Sequence, residues 1–130
     1  MNSIKNIVDL ISNNNNINLN LWHYLGDFLD YFYSSDRTTE ERFNLVLHEP
    51  IIYDALTKKD YAFLAGTVHK VCHDYHVRPP EWVIKDDYFL ERPYFSVNAK
   101  GNLRLVLLIE SPPEFRMRNI FTSENTLDRV

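Results

Sequence analysis

Residues 57–76 read TKKDYAFLAGTVHKVCHDYH, and their apolar positions follow the period of an α-helix. Thr57 and Asp60 form an N-terminal signal, because a carboxylate is favourable in the first turn of a helix. Two prolines directly after Arg78 give a stop signal. We therefore predict a helix that runs to about His76. Its core-facing stripe is expected to contain Tyr61, Leu64, Ala65, Val68, Cys72 and Tyr75.

Three further helices are predicted on the N-terminal side of this segment. Apolar residues recur at helical spacing in residues 3–12 and again in residues 21–34. Thr38 and Glu41 are spaced as a capping box, in which the threonine side chain accepts from the third helical amide. This capping box predicts a helix that continues through Leu47.

The segments that connect these helices have weaker patterns. The run of four asparagines at residues 13–16 is low in complexity, and we expect it to act as a flexible hinge. Asparagine favours caps and turns because its side chain competes for backbone hydrogen bonds. Residues 51–56 are long enough for one more short helix after Pro50.

The chain changes character after residue 78. Five prolines divide this part into short elements, and they are Pro79, Pro80, Pro93, Pro112 and Pro113. Residues 103–109 have an apolar run that permits either a buried strand or a buried helix, of which we favour the helix. Ser111 and Glu114 are spaced as another capping box. We therefore expect this part to wrap over the helices instead of forming its own domain.

Together these patterns predict a mainly α protein, a small single-domain helical bundle with a proline-rich, partly irregular C-terminal portion wrapped on the helices. Residues 1–16 are the N-terminal helix and the asparagine-rich hinge, residues 17–78 are the helical core, and residues 79–130 are the wrapping portion. The length of 130 residues and the mass of 15.5 kDa suit one hydrophobic core.

Composition excludes several classes of protein. With 45% hydrophobic and 25% charged residues, the chain is a globular domain and not a disordered or fibrous one. Aromatic residues are 14% of the chain, but there are only three glycines, so a phosphate-binding glycine loop is not expected. The single cysteine allows no internal disulfide. We expect no signal peptide, no membrane-spanning helix and a cytoplasmic location.

The acidic residues are concentrated in the first half of the chain. Residues 1–66 carry 5 basic and 9 acidic residues, whereas residues 67–130 carry 9 of each, which accounts for the net charge of −4. A protein that binds DNA through its phosphates needs a basic excess. The charge distribution therefore favours a protein or other basic partner, or serves solubility alone, and it makes direct binding of nucleic acid an unfavoured alternative.

Histidines on the central predicted helix offer the best local candidate for a chemical site. His69 and His73 are four residues apart, His76 follows, and such spacing can bring imidazoles to one metal ion. Cys72 lies in the core-facing stripe, where a thiol is an inert small hydrophobe. A metal-binding protein or metal-dependent enzyme that uses His69, His73 and His76 is therefore an alternative. The favoured hypothesis, a protein that binds another protein, includes no cofactor.

Two groups of side chains are candidates for binding a partner. The first is arginine-rich and also defines a nucleic-acid-binding alternative; it consists of Arg104, Arg116 and Arg118. The second is the aromatic group of the predicted helix 21–33, which consists of Trp22, Tyr24, Tyr31 and Tyr33. Aromatic side chains are common at protein interfaces, although most of those in this chain must first supply the core.

Several blocks of the C-terminal half carry a family resemblance. They are PEWV at 80–83, FL at 89–90, PYF at 93–95, LR at 103–104, ESPPEFRMRNIF at 110–121 and LDR at 127–129. Over residues 25–130 the chain resembles an uncharacterised group of bacterial proteins, whose longer members carry an N-terminal helix-turn-helix. Some members are encoded beside nucleotidyltransferase-like toxins. Residues 1–20 are too short for a helix-turn-helix, so the resemblance implies an interaction role without that route to DNA.

The sequence therefore predicts a non-enzymatic interaction protein, similar to an antitoxin or an accessory regulator. Its expected partner is a cognate bacterial protein, for which the resemblance implies a toxin, and a homo-oligomer is a further option. The acidic first half, the aromatic group of helix 21–33 and the first helix are the expected contact surfaces.

Overall fold

The computed structural model describes residues 2–13, 21–96 and 101–129. Within these residues the chain is mainly helical, as predicted, and forms one small domain. The α-helices are α1 (Ile4–Asn13), α2 (Leu21–Phe32), α3 (Thr39–Val46), α4 (Lys58–Asp74), α5 (Asn102–Glu110) and α6 (Pro113–Arg116). Two 3₁₀-helices cover Glu81–Ile84 and Asp86–Tyr88, and the strands are β1 (Tyr94–Phe95) and β2 (Ile120–Phe121).

Helix α4 lies at the centre of the fold. It begins with a capping box, because the Thr57 side chain accepts from the amide of Asp60 and the Asp60 side chain accepts from the amide of Thr57. Its residues 61–68 are all buried, so the predicted stripe was too narrow. The two 3₁₀-helices and α6 pack against α4, which is why its middle part is buried on every side.

The first three helices form one layer of the core. Ile4, Ile7 and Val8 are buried where α1 packs against α2 and α3, so the first helix belongs to the core and its apolar side is not free to bind a partner. The predicted capping box at Thr38 is confirmed. The guanidinium of Arg42 donates to two carbonyl oxygens at the end of α2, which closes the turn between α2 and α3.

The C-terminal portion wraps over these helices, as predicted. The indole of Trp82 donates to the carbonyl of Val46 at 2.9 Å and so joins a 3₁₀-helix to the end of α3. Near the C-terminus, Arg129 forms a salt bridge with Asp30 of α2 at 2.8 Å. Strands β1 and β2 pair in parallel, with Tyr94 opposite Ile120 and Phe95 opposite Phe121.

Three local predictions have different outcomes. Residues 103–109 are helical, as favoured, but the prediction that this helix is buried is wrong, since Leu107 is its single buried residue. Residues 51–56 contain no helix, and they instead lie across the start of α4 as an irregular segment. The capping box predicted at Ser111 is absent, because Pro112 is the residue that precedes α6 and its side chain cannot accept a hydrogen bond. The hinge predicted for residues 13–16 lies outside the described residues, apart from Asn13 at the end of α1. None of the described helices has both the length and the apolar character needed to cross a membrane.

Candidate functional site

The histidines of α4 are separated by the end of that helix. His69 and His73 lie one turn apart with ring centroids at 4.4 Å. His76 is beyond the last helical residue, in a turn with a φ of 56°, and therefore does not share their face. Of the three histidines that the sequence grouped together, His69 and His73 are adjacent, whereas His76 is separated from them.

Each member of this pair has a defined tautomer. The ring nitrogen Nδ1 of His73 lies 2.9 Å from a carboxylate oxygen of Glu114, so Nδ1 carries the proton and donates it. The guanidinium of Arg118 donates to Nδ1 of His69 at 3.2 Å, which leaves the proton of the neutral ring on Nε2. Because a metal ligand needs an unprotonated nitrogen, Arg118 excludes His69 from that role.

Electrostatics around the pair keep His69 neutral. Burial and the nearby charge of Arg118 lower the pKa of His69 to about 4. Burial is the largest single influence on the pKa of the Glu114 carboxyl and raises it. The hydrogen bond from His73, a backbone hydrogen bond and the nearby basic groups of His73 and Lys70 together outweigh burial, so the net pKa is below its ordinary value. Among the described residues no group of three or more His, Cys, Asp or Glu side chains is placed to hold a metal ion. This geometry does not support the metal-binding alternative.

Arg118 is an interior residue, in contrast to the prediction that it contacts a partner. Its side chain is 0% exposed and donates to the carbonyls of Glu114 and Val83, with the ring of Phe89 against its guanidinium. Burial lowers its pKa to about 10, so the group is still a cation at neutral pH. The physical reason for its position is that the two terminal guanidinium nitrogens donate to acceptors inside the fold, although the buried Nε has no hydrogen-bond partner among the described residues. A partner cannot reach the buried group.

The two remaining arginines of that group both lie at the surface, but on different helices. Arg104 is exposed on α5 and its guanidinium stacks 4.4 Å from the ring of Phe95. Arg116 is exposed on α6. With Arg118 buried, the cluster loses one of its three cations, which weakens the case for a nucleic-acid surface.

The aromatic group of α2 is only partly available. Trp22 is 54% exposed and packs edge-on against Phe63. Tyr24, Tyr31 and Tyr33 are half-buried, and the hydroxyl of Tyr33 donates to the carbonyl of Leu127. These tyrosines therefore serve mainly to pack the fold, and Trp22 is the member best placed to contact another molecule.

The buried cysteine has no reactive character. Cys72 is 0% exposed, and burial raises the pKa of its thiol to about 12. A thiol that stays protonated at neutral pH is a poor nucleophile and a poor metal ligand. This agrees with the prediction that Cys72 is a core residue.

Helix α5 carries the most exposed apolar surface of the C-terminal half, and the sequence did not identify it as a contact surface. Leu107 is its single buried residue and packs against Phe121 and Phe95. On the opposite side, an arc of about 160° holds four aliphatic residues and no charge. These residues, called the outer face of α5 below, are Leu105, Val106, Leu108 and Ile109.

The exposure of the outer face is large for aliphatic side chains. Ile109 is 76% exposed and Leu105 is 57% exposed, and the other two are also classed as exposed. The signal in the sequence was the run of five consecutive apolar residues from Leu105 to Ile109. A helix with one buried face needs apolar residues on that face only. Five consecutive residues are distributed around the whole helix, so some of these apolar residues must lie outside the buried face.

Comparison of the chain with protein-family models, with curated proteins and with solved structures finds no match. The family resemblance of residues 25–130 therefore stays a prediction.

Proposed function

We propose that the protein is a non-enzymatic interaction protein that binds another bacterial protein, as an antitoxin or an accessory regulator does. The outer face of α5 is the observation that carries this proposal. Contiguous exposed apolar surface is uncommon on monomeric proteins and marks sites of interaction. The family resemblance supports a toxin-type partner.

Helix α5 is held in place, which favours binding without a large ordering cost. The hydroxyl of Ser111 lies within hydrogen-bond distance of the carbonyls of Leu107 and Thr122, which share its one proton, and it accepts from the amide of Thr122 at 2.9 Å. Arg104 adds a cation–π contact with Phe95 at the other end of the helix. A preformed helix loses little conformational entropy when a partner binds it.

The shape of the outer face favours a partner with an apolar groove. Its arc of about 160° is wider than the stripe of about 100° that a helix buries on a flat neighbour. A helix of nine residues is also only about 14 Å long. Two such convex helices meet along a short line, whereas a stable interface needs roughly 1,000 Å². A groove that receives the helix from three sides covers the whole face.

Charge argues against two other occupants of the outer face. The chain has a net charge of −4, which opposes binding to anionic lipids and to nucleic acid phosphates. Helices that lie on membranes have several Lys or Arg residues on their polar side. In α5 the one basic residue is Arg104, and its guanidinium already stacks on Phe95.

The test is co-expression of the chain with the product of the neighbouring gene, followed by affinity measurement on the purified pair. The double substitution Leu105→Gln and Ile109→Gln should weaken binding by more than about 30-fold, because a single central interface residue already contributes about 2 kcal/mol or more. The matched control is Ile84→Gln with Met117→Gln, since both residues are exposed apolar side chains outside α5. This control should leave the affinity unchanged.

Two outcomes would count against the proposal. Equal affinity of the outer-face variant and the control variant would show that α5 does not bind the partner. A concentration-dependent dimer of the chain alone, lost in the outer-face variant, would identify a second copy as the occupant in place of a groove-bearing partner.

A further inference from the structure

A separate cleft lies between the irregular segment 51–56 and the second 3₁₀-helix. Its volume is about 500 Å³, which is within the range of sites that bind a few side chains or a small ligand. The lining residues are Ile52, Leu56, Lys58, Tyr61, Asp86 and Asp87. None of these residues belongs to α5, so the cleft is independent of the proposed function.

Hydrogen bonds hold the first wall of the cleft in position. The hydroxyl of Tyr61 donates to the carbonyl of Ile51 at 2.9 Å and accepts from the amide of Tyr53 at 2.8 Å. The hydroxyl of Tyr53 in turn donates to the carboxylate of Asp9 at 2.8 Å. The segment 51–56 has no helix of its own, yet these bonds fix it to α4 and to α1.

The second wall is held by another network. The carboxylate of Glu49 accepts from the Lys85 ammonium at 2.6 Å and from the Tyr88 hydroxyl at 2.7 Å. These two donors flank Asp86 and Asp87 in the chain, and Glu49 precedes the segment of the first wall. Both walls are therefore tied together, and the cleft exists before a ligand enters it.

The chemistry of the cleft is apolar with an acidic rim. Ile52 is 56% exposed, and it lies with Leu56 and the Tyr61 ring in the lining. Asp86 and Asp87 are exposed, and neither carboxylate forms a salt bridge within the part of the chain that the structure describes. Lys58 contributes one positive charge against these two negative charges. The cleft is thus complementary to an apolar group that stands next to a cation.

From this complementarity we propose that the cleft binds a short segment of another protein, in which an aliphatic side chain is adjacent to Arg or Lys. The aliphatic side chain covers Ile52 and Leu56, and the cation lies at Asp86 and Asp87. The acidic rim repels nucleic acid. The cleft has two carboxylates and no histidine or cysteine, and among the described residues no group of three or more such side chains is placed to hold a metal ion.

The test uses nuclear magnetic resonance titration of the full chain with a capped peptide of sequence GSLRLRSG. Resonances of Ile52, Leu56, Asp86 and Asp87 should shift on titration. In one comparison peptide both arginines are replaced by glutamate, and in the other both leucines are replaced by alanine. The affinity of each should be lower than that of the parent peptide by a factor of about ten or more. That factor corresponds to the loss of two surface ion pairs or of a small apolar contact.

Matched variants locate the binding. Asp86→Asn with Asp87→Asn should weaken binding of the arginine peptide by about tenfold and remove most of its salt dependence. The control is Asp36→Asn with Glu40→Gln, which removes two exposed carboxylates elsewhere and should leave the affinity unchanged. The outer-face variant of α5 should also bind the peptide normally, so this test and the test of the proposed function can fail separately.

Three results would overturn the inference. The first is equal binding of the arginine and glutamate peptides. The second is the absence of shifts at Ile52 and Leu56 at millimolar peptide. The third is equal binding of free arginine amide, which would identify a site for a small cation instead of a protein segment.

Discussion

Helices α4 and α5 are both rich in apolar residues, but the fold uses them in opposite ways. In α4, residues 61–68 are all buried, because α6 and the two 3₁₀-helices cover the sides that the first three helices leave open. In α5, Leu107 alone is buried and the outer face is open. The difference teaches that apolar content does not determine burial. What matters is whether later parts of the chain return to cover the helix.

The largest test of this contrast is one substitution made in both helices. Leu64→Ala in α4 should lower the free energy of unfolding by about 2–5 kcal/mol, because Leu64 is 0% exposed and its loss leaves a cavity. Leu105→Ala on the outer face should change it by no more than about 0.5 kcal/mol. Urea denaturation measures both. Similar losses for the two variants would mean that α5 is packed as tightly as α4.

A smaller effect is expected from adding a single methyl group to α4. In Gly66→Ala the new Cβ would lie 2.7 Å from the Phe115 ring, which must move. Overpacking costs about 1–3 kcal/mol, which exceeds the gain of about 1 kcal/mol in helix propensity. We expect a net loss of about 1 kcal/mol in the free energy of unfolding, measured by thermal or urea denaturation.

Gly26→Ala is the matched control for this substitution. The nearest atoms to its new Cβ belong to the guanidinium of Arg129, an exposed side chain that can move aside. This variant should therefore be neutral or more stable than the parent. If Gly66→Ala is equally well tolerated, the contact between α4 and α6 is looser than the structure shows.

The third prediction concerns His69 of α4 and the dependence of the free energy of unfolding on pH. The pKa of His69 is about 4 in the folded protein and ordinarily 6.5, so the unfolded chain binds more protons between these values. The free energy of unfolding should fall as pH decreases from about 6.5 to about 4. Above pH 6.5 the titration of His69 should cause no further change in this free energy. Urea denaturation at a series of pH values measures the slope.

Substitution identifies the group that causes this slope. His69→Gln should flatten it, because glutamine can accept the hydrogen bond from Arg118 without titrating. His48→Gln removes an exposed histidine and should leave the slope as it is. Identical slopes for the parent and His69→Gln would assign the acid sensitivity to other groups.

The smallest effect on stability is expected for the outer face itself. Leu105→Gln with Ile109→Gln should change the free energy of unfolding by no more than about 0.5 kcal/mol, since both side chains are exposed. The same variant should bind less of a dye that reports on exposed apolar surface. Unchanged dye fluorescence would show that the outer face is covered in solution.

Local signals explain which parts of the fold could be predicted. The starts of α3 and α4 depend on a side chain and an amide three residues apart. The sequence alone indicated both starts, that of α3 by a capping box and that of α4 by an N-terminal signal at Thr57 and Asp60. The same logic failed at Ser111. Its hydroxyl bonds to Leu107 and Thr122 instead, and Thr122 becomes its neighbour only when the chain has folded back.

The candidate surfaces were harder to predict for the same reason. Arg118 stands two residues from Arg116, and the charge of both residues suggested a surface position. In the structure Val83, Glu114 and Phe89 contact Arg118 and place it in the interior. The aliphatic residues of α5 suggested a buried helix, and nothing within residues 103–109 indicates which side the chain leaves uncovered. The cleft between segment 51–56 and the second 3₁₀-helix joins residues more than 30 positions apart.

The sequence by itself determined most of the helices, the capped beginnings of α3 and α4, the buried role of Cys72 and the wrapping of the proline-rich portion. These features depend on hydrophobic period, on neighbouring residues and on the restricted backbone of proline, all of which are local. Only the tertiary structure decided that the middle of α4 is covered on every side, that α5 exposes its aliphatic residues and that Arg118 is interior. Hydrophobic period indicates one buried face of a helix, as it did for Cys72, but burial of the other faces depends on contacts between distant parts of the chain.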